Sequence, residues 1–244
     1  MNTLNIFNIK HTIPKDELKS IVILIVSVFI LAIHKCFGTV QFITKSFPDV
    51  SEYNSVINMF VLTFILLAII PIFLIRYFFK ESLREYGLNI GDWKKGFKSI
   101  AVFYPLIAAF ILYPSVYDKE LLNFYPQSKE IAASTSAFLK FEAIRILLFY
   151  SGWEIFFRGF MLFGLRKYVG DSIAICIQII PSCLWHIGMS TGEIFASIFG
   201  GVLFGFMSLR TKSVIYPFIL HSLIGLTLDL FIVLSVIQQE GVLK

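Results

Sequence analysis

Charged residues are scarce in this sequence, and so are cysteines. Only 15% of its 244 residues are Asp, Glu, Lys or Arg, whereas a soluble domain carries about 25%. The three cysteines lie in or beside apolar runs without metal-ligand spacing, so the pattern predicts that they act as small apolar residues. These shortages exclude a disordered chain, a disulfide scaffold and an ordinary soluble enzyme.

Apolar residues are what the sequence has in excess. They make up 57% of the chain, and the mean hydropathy is +0.80. A helix needs about 20 mainly apolar residues to cross a bilayer, and seven runs approach or exceed that length: residues 20–37, 56–75, 99–114, 138–165, 172–187, 194–209 and 213–237. The sequence therefore predicts an all-α, polytopic transmembrane helix bundle of about seven spans, with eight as the alternative count.

Lysine and arginine are distributed unevenly among the connections between these runs. The rich ones are the N-terminal tail and residues 76–98, 166–167 and 210–212, and the connections between them hold few or none. Cytoplasmic loops are enriched in Lys and Arg, so the N-terminus is predicted to be cytoplasmic. The net charge of +5 thus reflects the cytoplasmic connections, and we predict no nucleic-acid partner from it. The lysines of residues 94–98 predict an interfacial segment that meets anionic headgroups.

The chain is predicted to form one integral membrane domain, 1–244, because no connection is long enough for an independent core. We divide it into a cytoplasmic tail at 1–19, N-terminal scaffold spans at 20–137 and a working half at 138–237. An ionisable residue in hydrocarbon is costly and usually faces the interior with a partner. The strong candidates all lie in the C-terminal half: Glu154, Arg158, His186, His221 and Asp229.

Two histidines and a carboxylate on three separate spans are compatible with three kinds of chemistry. Glu154, His186 and His221 could activate a water molecule by acid–base catalysis, bind a divalent metal such as zinc or relay protons. Glu154 and Arg158 lie four residues apart on one helix, so they can also form a purely structural ion pair. Asp229 lies two turns beyond His221, either as a further member of the site or near the outer surface.

Three segments of the C-terminal half resemble the motifs of the CPBP intramembrane proteases, the CAAX protease and bacteriocin-processing (Abi) family. Glu154 and Arg158 are similar to the end of a first motif of two glutamates, three residues and an arginine. His186 is similar to the histidine of the second motif, and His221 to that of the third. The order and spacing of the motifs agree over residues 140–235.

The sequence departs from the family pattern at three positions. Trp153 stands where the first glutamate of the family activates the attacking water. Ser182 stands where the second motif has an aromatic residue, and Gly225 stands where an asparagine helps to hold the oxyanion. What remains of the motifs is Glu154, Arg158 and both histidines.

The resemblance implies peptide hydrolysis inside the membrane. A carboxylate would take a proton from water while His186 and His221 polarise the scissile carbonyl or hold the oxyanion. Glu154 would have to be this base, oriented by Arg158, or share the role with Glu193 or Asp229. No cofactor is expected; a metal, if one is present, would be held by Glu154, His186 and His221.

Glu193 follows His186 by seven residues at the start of a predicted span. It can reach the same cavity, or it can be a solvated residue that the helix dipole favours at a helix start. The sequence leaves both interpretations open.

These residues favour an intramembrane endopeptidase in a bacterial plasma membrane, acting on a hydrophobic or lipidated peptide. One alternative is a catalytically impaired relative that acts as a membrane partner or bacteriocin-immunity protein. The other is a small proton-coupled transporter, which the lack of an internal repeat disfavours. Neither the identity of the substrate nor an oligomeric state follows from the sequence.

Overall fold

The structure, a computed structural model, describes residues 15–239 and the side chains of residues 17–235. Most of the N-terminal tail predicted for residues 1–19 therefore lies outside the described residues. Over the described range the backbone forms helices and turns without a β-strand. We number the helices α1 (Lys15–Phe37), α2 (Val40–Ser46), α3 (Glu52–Phe78), α4 (Trp93–Ser115), α5 (Lys119–Phe124), α6 (Thr135–Val169), α7 (Asp171–Trp185), α8 (Thr191–Thr211) and α9 (Ile215–Gln239).

The helices confirm an all-α polytopic membrane protein. Within the described range, six helices are long and apolar enough to cross a membrane, and each coincides with one of the predicted runs. The run at 172–187 forms α7, which has only 15 residues. At 1.5 Å per residue it is about 22 Å long, whereas a bilayer core is about 30 Å thick. Because α7 is short, His186 at its end lies within reach of the other helices of the bundle.

Helix α6 is the central element of the bundle. Two thirds of its most apolar window is buried (67%), compared with 17% for α4. Its phenylalanines at 156, 157 and 160 have no exposed surface, as expected for a helix with other helices packed around it. The backbone has π-helical geometry at Ile146–Tyr150 and Ile155–Phe163, on either side of the turn that carries Glu154. Such wider turns change which side chains share a face and are frequent at functional sites.

Helices α7 and α8 pack closely because α8 has glycines at the contact. A Cβ at Gly201 would lie 2.7 Å from Ile179, and a Cβ at Gly205 would lie 3.0 Å from Ile175. Small residues of this kind let two helix backbones approach in a membrane. The close contact fixes the turn between the two helices. His186 lies at the end of α7 before this turn, and Glu193 lies in the first turn of α8 after it.

Helices α4 and α9 also meet at a glycine, and this contact gives a stability prediction. A Cβ at Gly96 would lie 2.3 Å from the ring of Tyr216, a buried side chain whose hydroxyl donates to the carbonyl of Ile90. Gly96→Ala is expected to lower the free energy of unfolding by about 1–3 kcal/mol, because the ring has little room to move. Thermal unfolding of the detergent-solubilised protein measures the effect.

Gly200→Ala is the matched control, since a Cβ there has no neighbour within 4 Å. Alanine also favours a helix more than glycine does. Gly200→Ala is therefore expected to leave the melting temperature unchanged or slightly raised. Equal melting temperatures for Gly96→Ala and the unmodified protein would contradict the close α4–α9 contact.

Candidate active site

Glu154 and His221 form a hydrogen-bonded pair between α6 and α9. His221 Nδ1 lies 2.7 Å from Glu154 Oε1, and the glutamate has no exposed surface. An ionised carboxylate only accepts hydrogen bonds, so the proton of the imidazole is assigned to Nδ1. Nε2 then carries the lone pair. This places the more basic nitrogen of His221 on the side of the ring that Glu154 does not occupy.

Arg158 lies one turn beyond Glu154 on the same helix. Its Nε is 3.3 Å from Glu154 Oε2, and both side chains are almost fully buried. The Arg158 guanidinium thus gives the buried carboxylate an ionic partner in addition to its contact with His221. Arg158 Nη1 is buried without a hydrogen bond among the described residues, and the guanidinium packs 5.2 Å from the ring of Phe204.

His186 is held by the end of its own helix. Its Nδ1 lies 2.7 Å from the carbonyl oxygen of Ser182. A carbonyl only accepts hydrogen bonds, so Nδ1 is the donor and Nε2 carries the lone pair of the neutral ring. Both histidines of the site therefore use Nδ1–H for a protein contact and leave Nε2 for a ligand.

The ring of Trp153 meets the rings of both histidines edge-on. Its ring centroid lies 5.6 Å from that of His186 and 6.4 Å from that of His221. The side chain is only 2% exposed, and it also meets Trp185 edge-on. Trp185 in turn packs 4.3 Å from His34, which hydrogen-bonds Thr63. The structure thus explains Trp153 as an aromatic support for both imidazoles.

Two cavities meet at this group of residues. The larger, about 430 Å³, has a mostly apolar lining that includes Trp153, Arg158, His186, Glu193 and His221. The smaller, about 90 Å³, is more enclosed and has room for a few water molecules. It is lined by Trp153, His186, Glu193 and His221 as well. An apolar substrate segment and a small amount of water can therefore reach the same two histidines.

Tyr150 takes up the space beside Gly225. A Cβ on Gly225 would lie 1.6 Å from the hydroxyl oxygen of Tyr150, so a larger residue at 225 does not fit while the tyrosine is in place. The Tyr150 ring lies 4.7 Å from that of His221 and lines the smaller cavity. Sequence reasoning missed Tyr150, because a tyrosine within an apolar run carries no signal of its own.

Glu193 lies beside the histidines, in the first turn of α8. The hydroxyl of Tyr125 donates to its Oε1 at 2.8 Å, and its Oε2 is buried without a hydrogen bond among the described residues. The Ser190 side chain caps its backbone N–H. Glu193 is thus both a helix-start residue and part of the wall of both cavities.

Asp229 pairs with Arg145, which lines the smaller cavity together with both histidines. Its Oδ2 accepts a hydrogen bond of 2.6 Å from Arg145, which also contacts Glu142 at 3.3 Å. All three side chains are at most 5% exposed. Sequence reasoning missed Glu142 and Arg145 because they lie near the end of the 138–165 run. Their three-residue spacing on one helix was the available signal.

Glu154, His186 and His221 are the residues expected to hold a metal, if one is present. Among the described residues, no group of three or more His, Cys, Asp or Glu side chains is placed to hold a metal ion. Glu154 bonds directly to His221, and Trp153 packs against both imidazoles. No step below depends on a metal.

The fold and these contacts define a class, namely a multi-pass membrane protein with a buried carboxylate–histidine pair beside a second histidine. Residues 138–227 match the family model described as type II CAAX prenyl endopeptidase Rce1-like. The match confirms the resemblance of this segment to the CPBP intramembrane proteases. It includes Glu154, Arg158 and both histidines but ends before Asp229. No curated protein and no solved structure matches the chain.

Proposed function

We propose that this chain is an intramembrane endopeptidase that hydrolyses a hydrophobic or lipidated peptide. The observation that carries the proposal is the 2.7 Å hydrogen bond between His221 and Glu154, at the wall of cavities that His186 also lines. The Rce1-like segment supports peptide hydrolysis as the reaction. The Lys- and Arg-rich connections support a cytoplasmic N-terminus.

The geometry favours His221 as the base, with Glu154 as its partner. Both oxygens of Glu154 already face cationic or donor groups, Oε1 toward His221 and Oε2 toward Arg158. A carboxylate behind an imidazole fixes the tautomer and stabilises the imidazolium that forms during reaction. The role expected of Glu154 from the sequence is therefore divided between two residues.

The reaction begins with water bound near Nε2 of His221. Nε2 takes a proton from the water while the oxygen forms a bond to the scissile carbonyl carbon, whose π electrons move to the carbonyl oxygen. When this tetrahedral intermediate collapses, the C–N bond breaks and the leaving amine takes the proton from His221. His186 Nε2 accepts a hydrogen bond from the second proton of the water and so helps to orient it.

The oxyanion requires a hydrogen-bond donor, and Tyr150 is the residue that suits this role. Both histidines use Nδ1–H elsewhere, and the Tyr125 hydroxyl donates to Glu193. The Tyr150 hydroxyl lies in the space that Gly225 leaves open, in the wall of the smaller cavity. A donor aimed at the developing charge lowers the barrier in a water-poor site.

Tyr150→Phe tests this role. Loss of the hydroxyl is expected to lower kcat about 100-fold with little change in KM, because the hydrogen bond forms only in the transition state. Steady-state cleavage kinetics measure both constants. Tyr104→Phe is the matched control, since the Tyr104 hydroxyl bonds Thr227 at another α4–α9 contact. An unchanged kcat for Tyr150→Phe, in a protein that still needs Glu154, would remove Tyr150 from the mechanism.

The proposed function is tested with the purified full chain and a set of synthetic peptides. Farnesylated, palmitoylated and unmodified hydrophobic peptides are incubated with the protein in detergent, and mass spectrometry identifies the cleavage products. We expect cleavage of a lipidated peptide by the unmodified protein and almost none by His221→Gln, which lacks the base. Equal products with both proteins would show that a contaminating protease is responsible.

The position of Trp153 favours a second candidate function, a relative that binds a membrane partner without cleaving it. A buried indole packs against both imidazoles at the position where the family places its first glutamate. In this case the unmodified protein cleaves no peptide of the set. Trp153→Glu would then place a carboxylate beside both histidines, and a gain of cleavage in this variant would support the second candidate.

A further inference from the structure

A polar recess lies at one end of the bundle, where α6 and α8 end. Its volume is about 1130 Å³, larger than either cavity at the histidines. The recess is lined by six cationic and three acidic side chains: Arg84, Lys95, Arg166, Lys167, Arg210 and Lys212, with Glu85, Asp92 and Asp171. These cations come from the connections that predict the cytoplasmic face.

All three acidic residues of this recess are already paired. Arg166 donates two hydrogen bonds to Asp171, at 2.8 and 3.1 Å. Lys167 pairs with Glu85 at 3.1 Å. Lys95 pairs with Asp92 at 2.8 Å.

The last of these pairs keeps its acid ionised. The hydrogen bond from the Lys95 side chain holds the pKa of Asp92 below its usual value. The three acids of the recess are therefore not available to neutralise further cations.

Three cations of the recess have no carboxylate partner. Among the described residues, no Asp or Glu oxygen lies within 4.0 Å of Arg84, Arg210 or Lys212. All three side chains are exposed, and they line the same depression from the 83–92 connection and from the end of α8. The recess therefore offers an anion three unpaired positive charges, two of them guanidinium groups.

An apolar slot continues from the recess into the bundle. The slot has a volume of about 300 Å³ and an almost entirely apolar lining. It shares Leu88, Asn89 and Ile90 with the recess, so the two are contiguous. Ile155 and Phe218 line the slot further along, and Glu154 forms part of its wall.

We propose that the recess and the slot together bind one anionic phospholipid. Arg84, Arg210 and Lys212 hold the phosphate, since guanidinium groups form paired hydrogen bonds with phosphate oxygens. One acyl chain enters the slot and lies against the buried side of Glu154. Charge complementarity selects an anionic headgroup, and the contiguous apolar slot selects a lipid over a soluble phosphate compound. The slot shares Glu154 with the proposed active site, but lipid binding is measured without any cleavage reaction.

Lipid binding by the purified full chain tests the proposal. Native mass spectrometry counts bound phosphatidylglycerol and phosphatidylcholine after equilibration with mixed micelles. The triple variant Arg84→Gln, Arg210→Gln, Lys212→Gln is expected to bind phosphatidylglycerol roughly 100-fold more weakly, since each basic residue near a membrane surface contributes about a factor of five. Phosphatidylcholine binding is expected to stay unchanged. Equal binding of the two lipids by the unmodified protein would overturn the proposal.

Two further variants test the cations and the apolar slot separately. Lys45→Gln, Lys119→Gln, Lys129→Gln removes three exposed lysines from the other connections and is the matched charge control. An equal loss of phosphatidylglycerol binding in this control would show that the lipid is attracted by positive charge in general, and would overturn the proposed site. Leu88→Trp fills the slot and leaves the cations in place, so it is expected to weaken binding of long-chain phosphatidylglycerol. Unchanged binding in Leu88→Trp, or full displacement of the lipid by inorganic phosphate, would also overturn the proposal.

Discussion

Glu154→Gln is expected to lower kcat by about 10³–10⁴-fold, the largest effect of any single substitution at the site. The amide has the same size as the carboxylate but no charge, so the His221 imidazolium loses the group that stabilises it. An amide can also donate to Nδ1 and thereby move the imidazole proton to Nε2, where the base must be free. Cleavage of the lipidated peptide by purified protein measures the loss.

A second variant distinguishes a loss of catalysis from a loss of folding. Glu154→Gln leaves the buried Arg158 without an ionic partner, and the protein can fail to accumulate for that reason. His221→Gln retains the Glu154–Arg158 pair and is expected to show a comparable loss of kcat at normal abundance. Glu130→Gln, at an exposed position, is the matched control. Activity in both site variants at normal abundance would exclude the Glu154–His221 mechanism.

Asp229→Leu is expected to lower the free energy of unfolding by about 3–5 kcal/mol, the largest effect on stability. Arg145 would then keep only the longer contact with Glu142, at 3.3 Å, as its ionic partner in a buried site. A buried cation without sufficient partners loses its hydration and gains little in return. Unfolding of the detergent-solubilised protein by heat or denaturant measures the change.

The triple variant Glu142→Gln, Arg145→Met, Asp229→Leu separates charge from packing. It removes every charge of the cluster, so much of the lost stability is expected to return. Asp171→Asn breaks the more exposed pair with Arg166 and is expected to cost less than about 1 kcal/mol. If Asp229→Leu and Asp171→Asn had the same small effect, the Arg145 cluster would not stabilise the fold.

The fold class was predictable because its signal is local. A run of apolar residues is sufficient to predict a membrane helix, since every backbone polar group must be satisfied within the segment. The six long helices and the shorter α7 accordingly coincide with the predicted runs. The family resemblance was also predictable from local sequence. Its motifs are short, and residues four apart such as Glu154 and Arg158 share a helix face wherever that helix lies.

The partners of the ionisable residues were only partly predictable. The Glu154–Arg158 pair follows from spacing on one helix. The pairing of Asp229 with Arg145 does not follow from spacing, because an acid on α9 can face either the histidines or the first turns of α6, depending on the rotation of the helix. Its partner Arg145 lies 84 residues earlier in the chain, and no periodic pattern connects positions so far apart.

By itself, the sequence determined that this protein is an all-α membrane protein, where its spans lie, and that its last spans resemble the motifs of a CAAX-type protease in part. Only the tertiary structure decided which polar groups meet. It brought His221 to Glu154 across 67 residues, placed Tyr150 in the space that Gly225 leaves and gave Asp229 to Arg145. The physical reason is that hydropathy fixes where a helix lies, whereas close packing between helices fixes which of its faces meet.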